Sequence, residues 1–466
     1  MRYCFGILLL CVSVVLVAAE TPLALHPDNP HYLLFRGKPT VLITSGEHYG
    51  AVLNRDFDYV KYLDTLQKDG LNMTRLFSGI YCEAEKAFNI AGNSMAPAPD
   101  KLLCPWARSA APGYKFGGNK FDLDKWDVAY FARLKDFMTQ AGKRGIVVEF
   151  SPFCPFYEDS MWELSPLNPL NNVNNTPTLN RIEVWALKHD ELTAIQDKVA
   201  RKFVEELSAF DNFYFEICNE PYFGGVTLEW QKHIADTLVD AEKNLPAKHL
   251  IAQNIANGKA KIVKPNPAVS IFNFHYATPP DTVEMNYALG KVLADDETGF
   301  KGTKDVTYRQ EAWQFILAGG AIFDNLDYSF TVGHEAGDFV IPPKQPGGGG
   351  VAFRTQMKVL KDFIHGFDFV KMVPNAKLVS IHDAKGAKVE SRILAEEGKQ
   401  YAIYIRGGTQ AETKINAPLG DYIAEWIDTR SGAVLKSETI NHPGRGSIVL
   451  TSPDYSEDIA LKIVRK

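Results

Sequence analysis

The sequence feature that most restricts the fold of this chain is a repeated alternation of short apolar strands with amphipathic helices. The first helix shows the spacing of one buried face, with Phe57, Val60 and Leu63 three residues apart. Buried strands are predicted at 39–43, 71–77, 146–150, 213–218, 249–252, 270–274, 291–295 and 320–324. Helices are predicted at 57–68, 126–141, 192–210, 226–243 and 354–367. Eight such strands predict a (β/α)8 TIM barrel of the α/β class.

The segment 374–466 has a different pattern, in which short alternating strands are separated by turn residues. The predicted strands are 377–381, 389–394, 400–405, 422–428 and 447–450. This pattern predicts a small all-β sandwich domain that follows a barrel domain at 20–373. An open doubly wound sheet is the alternative for the barrel segment, but the glycine-rich phosphate loop typical of that fold is missing after the first strand.

Residues 1–19 have the features of a secretory signal peptide. Arg2 supplies the positive end, 7–17 is apolar, and small residues lead up to Ala19, after which cleavage is expected. This predicts a secreted or periplasmic protein. A lipoprotein anchored at Cys11 is the alternative, although no small residue directly precedes that cysteine.

Composition excludes several classes of partner. The net charge of −6 and the lack of a basic stripe argue against nucleic acid, and no later run is apolar enough to span a membrane. The cysteines of the mature chain lack CxxC spacing, so no zinc site is expected. Export permits a disulfide between Cys82 and Cys104, whereas Cys154 and Cys218 are at least as well explained as buried thiols.

Polar and ionisable residues collect where the predicted strands end, which is the face of a (β/α)8 barrel that carries active sites. Long insertions at 78–120, 152–190 and 329–350 follow strands two, three and eight, and loops of this kind carry function more often than stability. The residues at the strand ends are Glu47, His48, Arg75, Asn219, Glu220, His275, Tyr276 and Glu297. We expect these side chains to share one rim.

Two carboxylates on that rim match the requirement of glycoside hydrolysis for an acid and a nucleophile or base. Glu220 ends a buried strand, where desolvation raises a carboxyl pKa and suits a general acid; a loop hydrogen bond is the alternative. Glu297 lies across the barrel mouth as the candidate nucleophile. Arg75 and Tyr276 are placed to keep it ionised, and Asn219 to hold a sugar 2-hydroxyl.

On these residues the chain resembles the clan A glycoside hydrolases, close to the family 5, cellulase-like group, with a small β-domain appended. The matching segments are 72–75, 219–221, 275–276 and Glu297, within roughly 30–374. The resemblance implies a retaining mechanism with Glu220 as acid and base and Glu297 as nucleophile, and it implies no metal or organic cofactor. Two departures are a missing tryptophan at the end of strand eight and a missing histidine after strand three.

The predicted function is therefore that of a secreted retaining glycoside hydrolase acting on a β-linked polysaccharide or oligosaccharide. A non-catalytic carbohydrate- or matrix-binding protein on a degenerate barrel is the alternative, and transglycosylation would use the same residues. If the mechanism is retaining, the two carboxyls should lie about 5–5.5 Å apart, against about 6.5–9.5 Å for inversion.

Several of these residues have an alternative explanation. Asp295, Asp296 and Glu311 compete with Glu297 for the nucleophile, and Arg75 could form an internal salt bridge instead of contacting substrate. His275 and Tyr276 could simply be packed in the core, and Glu47 and His48 could tie loops together. Further candidates in the insertions are Trp106, Trp162 and Trp185 as stacking platforms for sugars, together with His334 and Glu335.

Overall fold

The computed structural model describes residues 21–466, so the predicted signal peptide, its cleavage after Ala19 and the Cys11 alternative lie outside the described residues. The predicted barrel is confirmed. Its strands are β1 (Leu42–Gly46), β2 (Met73–Phe77), β3 (Val147–Ser151), β4 (Phe213–Glu216), β5 (Ile251–Asn257), β6 (Ile271–His275), β7 (Val292–Thr298) and β8 (Ile322–Leu326). They form one sheet in the order β1-β8-β7-β6-β5-β4-β3-β2, and each paired neighbour is parallel.

Hydrogen bonds of Asn72 and Phe77 link the two ends of this strand order. The Asn72 side chain, just before β2, accepts a hydrogen bond from the Ile43 N–H (2.8 Å) and donates one to the Val41 carbonyl (2.9 Å). Further along, the Phe77 N–H donates to the Tyr49 carbonyl (3.0 Å). Because these bonds join β1 to β2, the sheet closes into a barrel and brings all eight strand ends to one mouth.

Helices cover the outside of the barrel. They are α1 (Tyr59–Lys68), α2 (Val128–Lys143), α3 (Asp190–Leu207), α4 (Leu228–Glu242), α5 (Asp281–Asn286), α6 (Asp305–Leu317) and α7 (Val351–His365). Side chains of Asp58, Asp127 and Thr227 cap the first turns of α1, α2 and α4, as expected of Asp and Thr at this position. Residues 258–270, all of them described, connect β5 to β6 without a helix.

The insertion after β2 contains a two-stranded hairpin that sequence patterns do not predict. Trp106–Pro112 pairs antiparallel with Asn119–Trp126. The alternation of the first strand is weak because its residues are mostly small or polar, and Trp126 ends the second strand instead of beginning α2. This hairpin anchors the base of a loop that reaches the barrel mouth.

A three-stranded antiparallel sheet of Ala24–Leu25, Leu33–Phe35 and Lys38–Thr40 precedes the barrel.

The chain from residue 373 onward forms further antiparallel sheets. The strands are β9 (Val373–Pro374), β10 (Val379–Asp383), β11 (Glu390–Glu396), β12 (Gln400–Arg406), β13 (Ala411–Ile415), β14 (Gly420–Ile427), β15 (Val434–His442), β16 (Ile448–Thr451) and β17 (Asp458–Arg465). Six form one sheet in the order β9-β11-β12-β17-β14-β15, and β10, β13 and β16 form the other. Residues of both sheets share one apolar core around Tyr401 and Trp426. The division of the chain at Pro374 stays a prediction.

Four of these strands, β9, β13, β15 and β17, were missing from the sequence prediction. β15 is an edge strand in which only His442 is fully buried. Its sequence therefore shows little alternation of apolar and polar residues. The two parts of the chain are held together by Arg309 of α6, which donates to both oxygens of Asp458 (3.0 and 3.1 Å). Trp313 also stacks on Tyr404, with ring centroids 5.5 Å apart.

No helix between residues 21 and 466 has both the length and the apolar composition that crossing a bilayer requires.

Candidate active site

A cavity of about 320 Å³ lies at the barrel mouth, where the strands end. Residues at or beyond the ends of all eight strands line it. The lining is rich in aromatic rings and also carries three carboxylates: Glu83, Glu220 and Glu297. Concave, largely apolar pockets with a few polar groups are the usual form of small-molecule sites, so this cavity is the candidate active site.

Glu297, in β7, is held by one cation and two phenols. Its Oε2 accepts from the Tyr49 hydroxyl (3.0 Å) and from Arg75 Nη1 (3.2 Å). Its Oε1 accepts from the Tyr276 hydroxyl (2.5 Å). Hydrogen bonds from charged donors are short and strong. The three donors therefore fix the orientation of the Glu297 carboxylate, which lines the cavity.

Glu220, just beyond β4, has different partners. Its Oε2 accepts from the Tyr157 hydroxyl (2.7 Å), and its Oε1 accepts from the Tyr222 hydroxyl (3.1 Å) and lies 3.2 Å from His275 Nδ1. Burial raises the pKa of Glu220, but the hydrogen bond and charge of His275 and the two phenols more than offset it, so the pKa is lowered. The raised pKa expected from burial alone is wrong, because three donors converge on this carboxyl.

His275, at the end of β6, lies between both glutamates. Its Nδ1 is 3.5 Å from Glu297 Oε1 as well as 3.2 Å from Glu220, and its Nε2 is 3.4 Å from Asp296 Oδ1. Burial lowers the pKa of His275, but the surrounding carboxylates, Glu297 first, more than offset it, so the pKa is raised. The imidazole can therefore carry a proton next to Glu220 at a pH where a free histidine would have lost it.

Four residues that line the cavity have left-handed backbone conformations that side-chain-bearing residues seldom adopt. The φ angles are +54° at Tyr49, +54° at Phe88, +36° at Glu220 and +54° at Tyr276. Such conformations cost of order 1–3 kcal/mol each and are concentrated at functional sites. Tyr49, Glu220 and Tyr276 lie within four residues of a strand end, and the hydroxyls of both tyrosines donate to Glu297. The backbone strain supports a functional role for this rim.

Arg75 in β2 lies beneath the cavity floor with its side chain fully buried. In addition to Glu297 it contacts Glu216 (3.0 Å), Glu149 (3.3 Å) and the Asn219 side-chain oxygen (2.9 Å). Burial lowers its pKa, but these carboxylates, Glu216 first, raise it well above the usual value. Arg75 therefore forms internal salt bridges with Glu149 and Glu216, the alternative considered for it. Its Nη1 also reaches Glu297 at the rim.

The carboxylates below Arg75 are crowded. Asn273 donates from its Nδ2 to Glu149 (2.6 Å) and Asp296 (2.6 Å), and burial raises the pKa of both of these carboxyls. Burial therefore outweighs the charge of Arg75, which lowers the pKa of both carboxyls. Asp296 is fully buried in the barrel, which separates it from Glu297 in the cavity wall.

Two groups of side chains have ligand types that suit a metal ion. They are Glu216, His275 and Asp296, and Glu220, His275 and Glu297; within each group one ligand atom per residue lies within 4.8 Å of the others. In both groups the guanidinium of Arg75 already contacts a carboxylate. The positive charge that a cation would bring is therefore partly supplied by the protein.

The other predicted site residues have separate positions. Asn219 lines the cavity and donates to the Tyr157 hydroxyl (2.9 Å). His48 also lines it, whereas Glu47 is absent from the lining, is buried, and accepts from the N–H groups of Gly50 and Ala51. Glu47 therefore ties the loop after β1, the alternative role considered for it.

The candidates in the insertions lie outside the cavity lining. Trp106, Trp162 and Trp185 are 1%, 7% and 0% exposed, so none presents a face to a sugar and the stacking hypothesis is wrong for all three. Glu335 accepts from backbone N–H groups, and His334 pairs with Asp338. Cys82, Cys104, Cys154 and Cys218 are buried free thiols.

Sequence reasoning missed three phenols that contact the carboxylates. Tyr49 stood beside Glu47 and His48, and Tyr222 follows Pro221, so proximity to a strand end could have identified both. Tyr157 had no such indication in the sequence. It lies in the insertion after β3, where the family's histidine was missing, and it contacts both Glu220 and Asn219.

Comparison with known proteins finds solved structures of similar fold. No protein-family model and no curated protein matches the chain. A structure described as a glycoside hydrolase family 5 protein from Bacteroides vulgatus ATCC 8482 has a TM-score of 0.61 and 16% identity, over 96% of this chain and 94% of that chain. A structure described as a glycoside hydrolase has a TM-score of 0.64 and 16% identity, over 96% and 97%.

A second structure from Bacteroides vulgatus ATCC 8482, described as a candidate glycoside hydrolase, has a TM-score of 0.66 and 14% identity, over 96% of this chain and 83% of that chain. Because each match covers 96% of this chain, the likeness extends through the barrel and the C-terminal sheets. At such identities it is a likeness of fold: the chain has the architecture of these glycoside hydrolases.

Proposed function

We propose that this protein is a glycoside hydrolase that cleaves β-linked glycosides with retention of configuration. One observation carries the proposal: two glutamates on opposite sides of one cavity, Glu220 and Glu297, present carboxylate oxygens within 4.8 Å of each other. This upper limit lies below the roughly 6.5–9.5 Å between carboxyl groups that leaves an inverting enzyme room for a water molecule, and it supports the closer pairing, roughly 5–5.5 Å, of retaining enzymes.

The surroundings support different roles for the two glutamates. Glu297 is oriented by donors from Arg75, Tyr49 and Tyr276, which supports its role in this proposal as the nucleophile that attacks the anomeric carbon and forms the glycosyl-enzyme. Glu220 shares its environment with His275, which can supply a proton through the 3.2 Å contact. Glu220 then protonates the leaving oxygen and later removes a proton from the attacking water.

Retention also fits the position of the supporting groups. Asn219 is fixed by Arg75 and Tyr157 next to Glu220, where it can bind the 2-hydroxyl, a contact that strengthens in the transition state. The fold likeness to glycoside hydrolases supports the same reaction class. Secretion remains a prediction from the sequence of residues 1–19.

The test is turnover on a panel of aryl β-glycosides and polysaccharides by the wild-type protein, Glu220→Gln and Glu297→Gln. We expect at least one substrate to be cleaved by wild type and by neither variant at more than about a thousandth of the rate. The anomeric configuration of the first product, followed by NMR, should match that of the substrate.

The alternative is a carbohydrate-binding protein without activity. Sugar binding by calorimetry with no turnover on any substrate would favour it, and a first product of opposite configuration would refute retention while leaving hydrolysis intact. A control variant is Glu85→Gln, since Glu85 is exposed on the loop after β2 and should leave the rate unchanged.

A further inference from the structure

We propose that the cavity is a pocket, walled on the side away from Glu220, for the single sugar residue at a chain end, and that Glu83 and His48 recognise the hydroxyls of that sugar. The protein would then remove terminal sugars, not cut inside chains. This inference rests on the proposed function and specifies its substrate. Glu83 lies in the insertion after β2 and was not among the residues that the sequence singled out.

The size of the cavity favours a single sugar ring. A cleft that binds the interior of a polysaccharide holds several rings, whereas the ends of all eight strands surround this one compact cavity. The volume of about 320 Å³ is at the lower end of the range for small-molecule pockets, roughly 300–1,000 Å³. That space suits one sugar ring and not a chain of them.

The three insertions contact one another and form a wall along one side of the mouth. The Phe88 ring, after β2, packs edge-on against Tyr157, after β3, with centroids 5.5 Å apart. The Gln345 side chain, after β8, accepts from the Ala91 N–H (3.0 Å) and donates to the Ala91 carbonyl (3.3 Å). The wall therefore spans the side of the mouth formed by β8, β1, β2 and β3.

The positions of the two glutamates set the direction in which the sugar lies. The leaving group departs on the side of Glu220, which follows β4 and is flanked by Phe223 and Asn257. The anomeric carbon lies between Glu220 and Glu297, so the remainder of the ring extends toward the opposite wall. Glu83 and His48 lie on that wall, where the far hydroxyls of a terminal sugar would reach.

Glu83 is equipped to accept those hydroxyls. It is 3% exposed, and its carboxylate is oriented by the Tyr81 hydroxyl (3.1 Å) and the Asn93 side-chain amide (2.5 Å), with His48 Nε2 at 3.5 Å. Burial lowers the pKa of His48, but Glu83 first and then other carboxylates more than offset it and raise the pKa. A carboxylate can accept about four hydrogen bonds, so capacity remains for a substrate.

The test compares each cleaved 4-nitrophenyl β-glycoside with its 4,6-O-benzylidene derivative, which blocks the far hydroxyls. With wild-type protein we expect the blocked derivative to lose 100-fold or more in kcat/KM. Equal kcat/KM on the glycoside and its blocked derivative would overturn the pocket proposal and leave the proposed function intact. No turnover of any unblocked glycoside or polysaccharide would overturn both.

Two variants separate recognition from folding. Glu83→Gln should lower kcat/KM on the unblocked glycoside by roughly 10–100-fold, mainly through KM, because one charge-assisted hydrogen bond is weakened; Glu85→Gln on the same loop should not. Phe88→Ala opens the wall and should reduce the discrimination against the blocked derivative at least 10-fold. Unchanged discrimination in Phe88→Ala and an unchanged KM in Glu83→Gln, with both variants folded by thermal melting, would overturn the assignment.

Discussion

The two sides of the cavity hold the same residue type, a buried glutamate, in contrasting surroundings. Glu297 contacts a permanent cation, Arg75, together with two phenols. Glu220 also contacts two phenols, but its third partner is His275, whose charge depends on a proton. A guanidinium stabilises a carboxylate at every working pH, whereas an imidazole can exchange a proton with it. His275 Nδ1 also lies 3.5 Å from Glu297, but its shorter contact is with Glu220. We infer that the partners, and not the residue type, distinguish the roles proposed for the two glutamates.

The strongest test of this contrast is the dependence of rate on the leaving group. Glu297→Gln should lose about 10⁴-fold or more on every aryl glycoside, because no nucleophile remains. Glu220→Gln should lose 10²–10⁴-fold with poor leaving groups but far less in the first step with 2,4-dinitrophenolate, which departs without a proton. The measurement is kcat/KM against leaving-group pKa. Parallel lines for the two variants would mean that the assigned roles are wrong.

Replacing Arg75, the cation beside Glu297, should have the second-largest effect on the rate. Arg75→Lys keeps a charge but cannot contact Glu297, Glu216 and Asn219 together, so we expect kcat to fall roughly 10²-fold. Arg75→Met would leave buried carboxylates uncompensated and should cost about 3–5 kcal/mol of unfolding free energy. Kinetics and denaturant unfolding check the two effects. Arg445→Lys, at an exposed position, is the control and should change neither.

A pH profile tests the partner on the acid side. The pKa of His275 is raised, so the Glu220–His275 pair should keep its proton until the pH passes above about 6.5. Acid catalysis is then lost on the basic side. In His275→Asn only the carboxyl can hold that proton, and the basic limb of kcat/KM should move to lower pH. An unchanged basic limb would mean that His275 does not hold the proton used in acid catalysis.

The smallest expected effect concerns a glutamate beyond the cavity wall. Burial raises the pKa of Glu47 to about 7, above the usual 4.5, despite donors from Ser94, Gly50 and Ala51. A raised folded pKa contributes stability below the unfolded pKa that is lost as pH rises through 7, here about 3 kcal/mol. Glu47→Gln should therefore flatten the dependence of the melting temperature on pH between 4.5 and 8. Equal slopes for wild type and variant would refute the shift.

Much of the architecture was predictable from sequence, because it depends on local periodicity. Apolar strands alternating with helices predicted the barrel, and the placement of Glu220 and Glu297 after the fourth strand and in the seventh predicted that they would face each other. Prediction failed where side chains carry weak periodicity, as in the polar edge strand β15 and the hairpin at 106–126. It also failed for the insertion tryptophans, since burial depends on what packs above them.

The sequence by itself determined the fold class and the residues that the strands bring to one rim, since both follow from the order of residues along each strand. Only the tertiary structure decided which groups meet there. Tyr157, Tyr49 and Glu83 come from loops whose paths no periodicity describes, and Asn72 closes the barrel through side-chain bonds across 29 and 31 residues. The lowered pKa of Glu220 likewise arises from donors on three separate segments, whose convergence is a property of packing in three dimensions.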